Sequence, residues 1–111
     1  MTMVAIVLGA VTGARAQNVI TTVAVGNSPT AIAADPATDQ VYVANLGSAN
    51  VTVINGATNA TTTVAAGTRP TAIAVNPVTN QIYVANSTSN NVTVIDGATN
   101  ATTTVAAGAY P

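Results

Sequence analysis

The side chains able to do chemistry in this 111-residue chain are few enough to take one at a time. It contains no Cys and no His. That excludes thiol nucleophiles, thiolate or imidazole metal ligation, histidine general-base catalysis and disulfide cross-links within the chain. The charged residues are Asp35, Asp39, Asp96, Arg15 and Arg69. Asp35 and Asp39 flank Pro36 closely enough to supply half of a Ca²⁺ site, which needs clustered oxygen ligands. Their counterparts later in the chain are Asn76 and Asn80, and no third carboxylate is near. Capping of a turn by Asx side chains is the stronger reading. Asp96 stands alone before Gly97, and its counterpart is Asn55. One isolated carboxylate gives no acid–base mechanism, so an Asx turn is again favoured.

The remaining candidates are equally sparse. Tyr42 and Tyr83 are either binding-surface aromatics or packing residues whose hydroxyls reach a polar rim, and their mid-strand positions favour packing. Tyr110 has no assignment. Asn50, Asn59, Asn86, Asn91 and Asn100 each begin an Asn-x-Ser/Thr sequence, the pattern of a glycan acceptor. In a chain this rich in Asn and Thr such matches follow from composition. Arg69 could meet an anion, but a solvated loop residue is the simpler reading. A net charge of −1 with only two cations argues against nucleic acid and against an anionic membrane surface as partner. The residues thus point to no catalytic, cofactor-binding or metal-binding set.

The elements that position these residues follow from a repeat. Residues 70–108 nearly copy residues 29–67 at a constant offset of 41, with no insertion or deletion. Tyr42, Asn45, Gly56 and Gly67 map onto Tyr83, Asn86, Gly97 and Gly108. Residues 18–26 match residues 59–67 at the same offset, so repeated material begins part-way through a unit. A period of this length marks a repeat architecture.

Each unit reads as four short strands divided by turn formers. In the first unit these are residues 30–34, 40–45, 51–54 and 59–66; in the second, residues 71–75, 81–86, 92–95 and 100–107. Asn55-Gly56 is expected to supply a positive-φ turn. In the second strand Val41 and Val43 face one way and Tyr42 and Ala44 the other, so both faces are apolar and both need cover. Four antiparallel strands in about 40 residues, covered on both faces, describe one blade of a β-propeller. The first strands are rich in Ala (Ala31, Ala33, Ala72, Ala74), which suits the crowded axis. The expected fold is all-β: about two four-stranded antiparallel blades, not a closed ring.

These motifs resemble the YVTN repeat of surface-layer-type β-propellers. The matching residues are Gly26 to Pro29 and Gly67 to Pro70, the turn prolines Pro36 and Pro77, and Tyr42-Val43-Ala44-Asn45 with Tyr83-Val84-Ala85-Asn86. Val51 to Asn55 and Val92 to Asp96 complete the pattern. Ala replaces Thr within the name motif, and Asn55 replaces Asp in the first copy. The resemblance covers about residues 18–111 and implies an exported or surface scaffold. Some propellers similar to this family are lactonase-like or redox enzymes, whose active-site residues other blades would supply.

The expected organisation is residues 1–16 as a signal peptide, 17–28 as the outer strand of a preceding blade, 29–67 and 70–108 as blades, and 109–111 as the start of a truncated third. Residues 3–11 form an apolar run too short to span a membrane, and Ala14-Arg15-Ala16 has the small-x-small form of a cleavage site. No positive n-region precedes it, and an extra strand or a tail is the competing reading. The expected partner is a protein or surface ligand of unknown identity, with self-association through open blade edges. The expected location is secreted, periplasmic or cell surface.

Overall fold

A computed structural model describes Thr2–Ile6 and residues 21–111. The described residues form ten strands and no helix. In chain order they are β1 (Thr2–Ile6), β2 (Thr21–Val25), β3 (Pro29–Asp35), β4 (Gln40–Asn45), β5 (Asn50–Asn55), β6 (Thr61–Ala65), β7 (Pro70–Asn76), β8 (Gln81–Asn86), β9 (Asn91–Asp96) and β10 (Thr102–Ala106). Two four-stranded antiparallel sheets, β3-β4-β5-β6 and β7-β8-β9-β10, run in sequence order, and β1 pairs with β2 in a separate ribbon.

Valine, isoleucine and threonine dominate the strands because a pleated, half-buried surface suits β-branched side chains. Asx residues close the turns. Asp35 Oδ1 accepts from Ala37 N at 3.0 Å, Asn55 Oδ1 from Ala57 N at 2.9 Å, Asn76 Oδ1 from Val78 N at 3.1 Å and Asp96 Oδ1 from Ala98 N at 2.9 Å. The left-handed backbone positions recur with the repeat: Ser28, Arg69 and Tyr110; Asp39 and Asn80; Ala49 and Asn90; Asn59 and Asn100. In the β5–β6 turn the left-handed residue is therefore Asn59 (φ 64°), not the Asn55-Gly56 pair that the sequence suggested. This late turn residue also shortens the outer strand, which begins at Thr61.

Alternation of side chains decides the packing. Register pairs Tyr42 with Val53 and Ala44 with Val51, which places these four on one face. Tyr42, Val51, Val53 and Val64 form one apolar cluster with Ile82, Val84 and Ile95 of the second sheet. On the opposite face Val41, Val43 and Ile54 cluster with Val23 and Val25 of β2. The first sheet is thus covered on both sides, as its two-sided apolar strands required. The two sheets approach most closely at β3–β7 and β4–β7, so they converge at their first strands and splay outwards. Ala31 and Ala33 of β3 share the face of Tyr42 and Ala44 at that convergence, opposite Ile73 and Val75 of β7, whereas Ala72 and Ala74, expected at a crowded axis, are exposed on the other face of β7.

The ribbon continues the stack. Val4 pairs with Val23 as Val51 pairs with Val64, so β1 stands to β2 as β5 stands to β6. Strand β1, Thr2–Ile6, overlaps the start of the apolar run at residues 3–11 within the segment expected to be a signal peptide. The cleavage motif at residues 14–16 lies outside the described residues.

Candidate functional site

The repeated tyrosines illustrate what the stack does to equal sequences. Tyr42 lies between the sheets with none of its surface exposed, whereas Tyr83, one repeat later, is 37% exposed. Each hydroxyl donates to a glutamine on its own strand, Tyr42 to Gln40 Oε1 at 2.8 Å and Tyr83 to Gln81 Oε1 at 3.0 Å. Burial, assisted by the nearby Asp35 carboxylate, raises the Tyr42 hydroxyl above its ordinary pKa of 10.0. The shift favours a neutral phenol and gives Tyr42 no acid–base role near neutral pH.

Asn45 and Asn86 end β4 and β8 and are fully buried. Asn45 Nδ2 donates to Asn50 Oδ1 at 2.8 Å and to Thr52 Oγ1 at 2.9 Å. Asn86 repeats the arrangement with Asn91 Oδ1 and Thr93 Oγ1, both at 2.9 Å. The Oδ1 atoms of Asn45 and Asn86 meet no donor. The sequence marked Asn45 and Asn86, and marked Asn50 and Asn91 only as Asn-x-Ser/Thr matches, without linking them to each other or to Thr52 and Thr93, although the spacings of five and seven residues recur in both copies.

The four repeat glycines differ among themselves. A Cβ on Gly56 would stand 2.6 Å from the Asp39 carbonyl oxygen, and one on Gly97 would meet Asn80 Oδ1 and its backbone. These glycines serve close approach between turns: Gly56 N donates to Asp39 O at 2.7 Å and Gly97 N to Asn80 O at 2.8 Å. Gly67 packs against the amide of Asn86, while a Cβ on Gly108 would meet nothing within 4 Å.

The carboxylates do not converge. Asp35 is buried and spans the two sheets. With its amide turned to suit both neighbours, Asn80 donates to Asp35 Oδ2 at 3.1 Å and accepts from Ala98 N at 3.3 Å. Asp39 is exposed in the β3–β4 turn and Asp96 is exposed at the end of β9. No group of three or more His, Cys, Asp or Glu that could hold a metal occurs among the described residues. Among the described residues, no helix is long and apolar enough to cross a membrane.

Three shallow hollows mark the sheet faces. One of about 280 Å³ is lined by Pro29, Thr30, Ala31, Ile32 and Val43, beside the β1–β2 ribbon. One of about 190 Å³ lies over Ala72, Ala74, Tyr83, Ala85 and Val92 on the outer face of the second sheet. The third, about 210 Å³, lies between β2 and β6 over Thr52, Thr61 and Thr63. None carries a carboxylate or a guanidinium in its lining.

The loops at one end are held firmly. Leu46 N donates to Ser28 O at 2.9 Å and Gly47 N to Asn27 O at 3.2 Å, while Asn27 N donates to Ser48 Oγ at 2.7 Å. The second repeat uses Ser87 N to Arg69 O, Thr88 N to Thr68 O and Thr68 N to Ser89 Oγ. The linker leaving each outer strand is therefore pinned to the β4–β5 or β8–β9 loop of the next sheet. Arg69 is exposed within one such linker, and Tyr110 is exposed at the corresponding place beyond the second.

Four-stranded antiparallel sheets stacked face to face, converging at their first strands, are blades of a β-propeller. The chain holds two of them with a two-stranded ribbon before them, and the ring is open. No protein-family model matches the chain, and no curated protein matches it. Among the solved structures that share the fold are two propellers. Hydrazine synthase of Kuenenia stuttgartiensis superposes with a TM-score of 0.71 at 25% identity over 93% of this chain. Apo AztD of Citrobacter koseri does so with a TM-score of 0.69 at 18% identity over 81%. Both are propeller proteins. This chain spans 28% and 27% of their respective lengths.

Proposed function

We propose that this chain is a segment of an exported or cell-surface β-propeller of the YVTN-repeat kind, acting as a scaffold that binds a protein or surface ligand. The observation that carries this reading is the use of the recurring residues. Tyr42, Asn45, Gly56 and their counterparts serve strand packing, turn closure and contact between sheets, and none of the hollows gathers ionisable groups. The test is incubation of the purified chain with lactones and esters, followed by product analysis. No turnover is expected, and hydrolysis above the rate of a heat-denatured control would end the scaffold reading.

Export rests on the small-x-small motif at residues 14–16 after a short apolar run. Intact-mass analysis of the chain made in a secreting host tests it: a product beginning at Gln17 supports export, and one beginning at Met1 opposes it. A second reading is favoured by the likeness to hydrazine synthase, an enzyme by its name. On that reading the chain is part of a propeller enzyme whose active-site residues other blades supply. Turnover appearing only when this chain is joined to such blades would favour it.

A further inference from the structure

Asn55 and Gly56 form the one Asn-Gly pair in the chain, and Asn55 is exposed where β5 ends. In such a pair the glycine, having no Cβ, leaves its own backbone nitrogen open to approach the asparagine side chain. Two features of the structure bear on that chemistry. Among the described residues the Asn55 side chain bonds through Oδ1 alone, which accepts from Ala57 N at 2.9 Å and from Thr58 N at 3.3 Å, so neither bond holds Nδ2, the leaving nitrogen. Gly56 N, the attacking atom, is engaged: it donates to Asp39 O at 2.7 Å, across the contact between the β3–β4 and β5–β6 turns.

The second repeat holds the acid form of this residue in the same turn. Asp96 stands where Asn55 does, and its Oδ1 accepts from Ala98 N at 2.9 Å. The backbone bonds agree. Asn55 N donates to Ala60 O and Asp96 N to Ala101 O, both at 2.9 Å, while Asn59 N donates to Asn55 O and Asn100 N to Asp96 O, both at 2.7 Å. An aspartate therefore fits this turn. The turn it meets differs. Asp96-Gly97 meets Asn80, whereas Asn55-Gly56 meets Asp39, so at these positions each contact carries one carboxylate and one amide. A Cβ on Gly56 would stand 2.6 Å from Asp39 Oδ1, which sets that carboxylate beside the Asn55-Gly56 peptide. An acid at position 55 would add a second negative charge there, and like charges on facing strands repel.

We propose that Asn55 is a site of spontaneous deamidation, gated by the contact between these two turns, and that its conversion to aspartate loosens that contact. While the contact is closed, Asp39 O holds the Gly56 proton and the ring cannot form. When it opens, Gly56 N gives its proton to hydroxide and bonds to Asn55 Cγ. The Cγ–Nδ2 bond breaks, and ammonia leaves with a proton taken from water. The cyclic imide then takes up water and reopens to aspartate or, through its other carbonyl, to isoaspartate. No oxidant or reductant enters. The rate in the folded chain is thus the rate of the free peptide reduced by the fraction of time the contact is open.

The test is peptide mapping by mass spectrometry of the full chain, aged in mildly alkaline buffer with and without urea. Asn55 should convert ahead of every other asparagine in urea, and at least about tenfold more slowly in native buffer. Hydrogen exchange at the Gly56 amide, followed at rising sub-denaturing urea, should quicken in step with deamidation. Asn55→Asp stands in for the aspartyl product. It should keep the circular dichroism spectrum while lowering the exchange protection of Gly56 about twofold to fivefold, and adding Asp39→Asn should restore that protection. Equal conversion rates with and without urea would overturn the gate, and no conversion at Asn55 in urea would overturn the site. Unchanged Gly56 protection in Asn55→Asp would overturn the loosening.

Discussion

Truncating the two repeat tyrosines one at a time separates what the stack contributes from what the strand contributes. Tyr42 and Tyr83 occupy the same strand position, differ among their nearest neighbours only by Val41 against Ile82, and bond the same partner type, yet one is covered and the other is 37% exposed. A buried tyrosine removes about 150–250 Å² from water, which at about 25 cal/mol per Å² amounts to about 4–6 kcal/mol. Cutting a buried aromatic to alanine costs about 3–5 kcal/mol once partial relaxation is included, so Tyr42→Ala should cost about 4 kcal/mol. Tyr83 keeps over a third of its surface in water, and solvent fills the gap that truncation leaves, so no cavity term is added. Tyr83→Ala should cost about 2 kcal/mol. In a chain of this size the gap of about 2 kcal/mol corresponds to roughly 10 °C in Tm. Urea unfolding followed by far-ultraviolet circular dichroism measures both, in samples dilute enough to be monomeric. Equal costs for the two variants would refute the assignment of a covered and an open sheet.

Three further outcomes follow from individual contacts. Gly56→Ala drives a Cβ into the Asp39 carbonyl and should cost about 1–3 kcal/mol in the urea midpoint, whereas Gly108→Ala, with open space around it, should be close to neutral. Asn45→Ala strips the donor from Asn50 Oδ1 and Thr52 Oγ1 and should cost about 2 kcal/mol by the same assay, with Asn50→Ala partly suppressing the loss when combined. The raised pKa of Tyr42 has a definite sign. Its unfolded hydroxyl ionises first as pH climbs through about 10, so stability present below that value should fall above it. Unfolding midpoints on either side of that range should show the decline in the native chain and a weaker one in Tyr42→Phe.

Much of the fold was legible because the repeat writes the same strand pattern twice. Strand β4, with apolar side chains at both parities from Val41 to Ala44, announced that its sheet needed cover on both faces, and the ribbon and second sheet supply it. What sequence could not convey is position within the stack. Tyr42 and Tyr83 sit in nearly identical local sequences, and only the presence or absence of a neighbouring sheet separates their burial. Gly56 was misread for a related reason. Asn-Gly suggests a backbone preference, but the glycine is required by the Asp39 carbonyl packed against it, a contact between turns that no local pattern encodes. The link from Asp35 to Asn80 was likewise hidden, because each residue had a sufficient local explanation as a turn former.

The differences between the two repeats bear on where recognition would reside. Residues 29–67 and 70–108 differ at nine positions, and residues 56–67 match their counterparts throughout. Three of the nine, Leu46/Ser87, Gly47/Thr88 and Ala49/Asn90, fall in the single loop that follows the second strand. That loop is also the one pinned to the incoming linker, and the bonds common to both repeats use backbone groups and the retained Ser48 and Ser89. In the first repeat Leu46, Gly47 and Ala49 bring no side-chain hydrogen bond to this pinning, whereas in the second Ser87 Oγ donates to Arg69 O and Asn90 Oδ1 accepts from Tyr110 N, both at 3.1 Å. A loop whose backbone is fixed by its invariant atoms and whose remaining side chains vary presents different chemistry from each blade on one rigid frame. Ligand contacts made there would lose little entropy on binding. Buried strand residues such as Tyr42, Val51 and Ile82 are by contrast occupied in packing one sheet on the other, so the loops are where the proposed scaffold role would be tested.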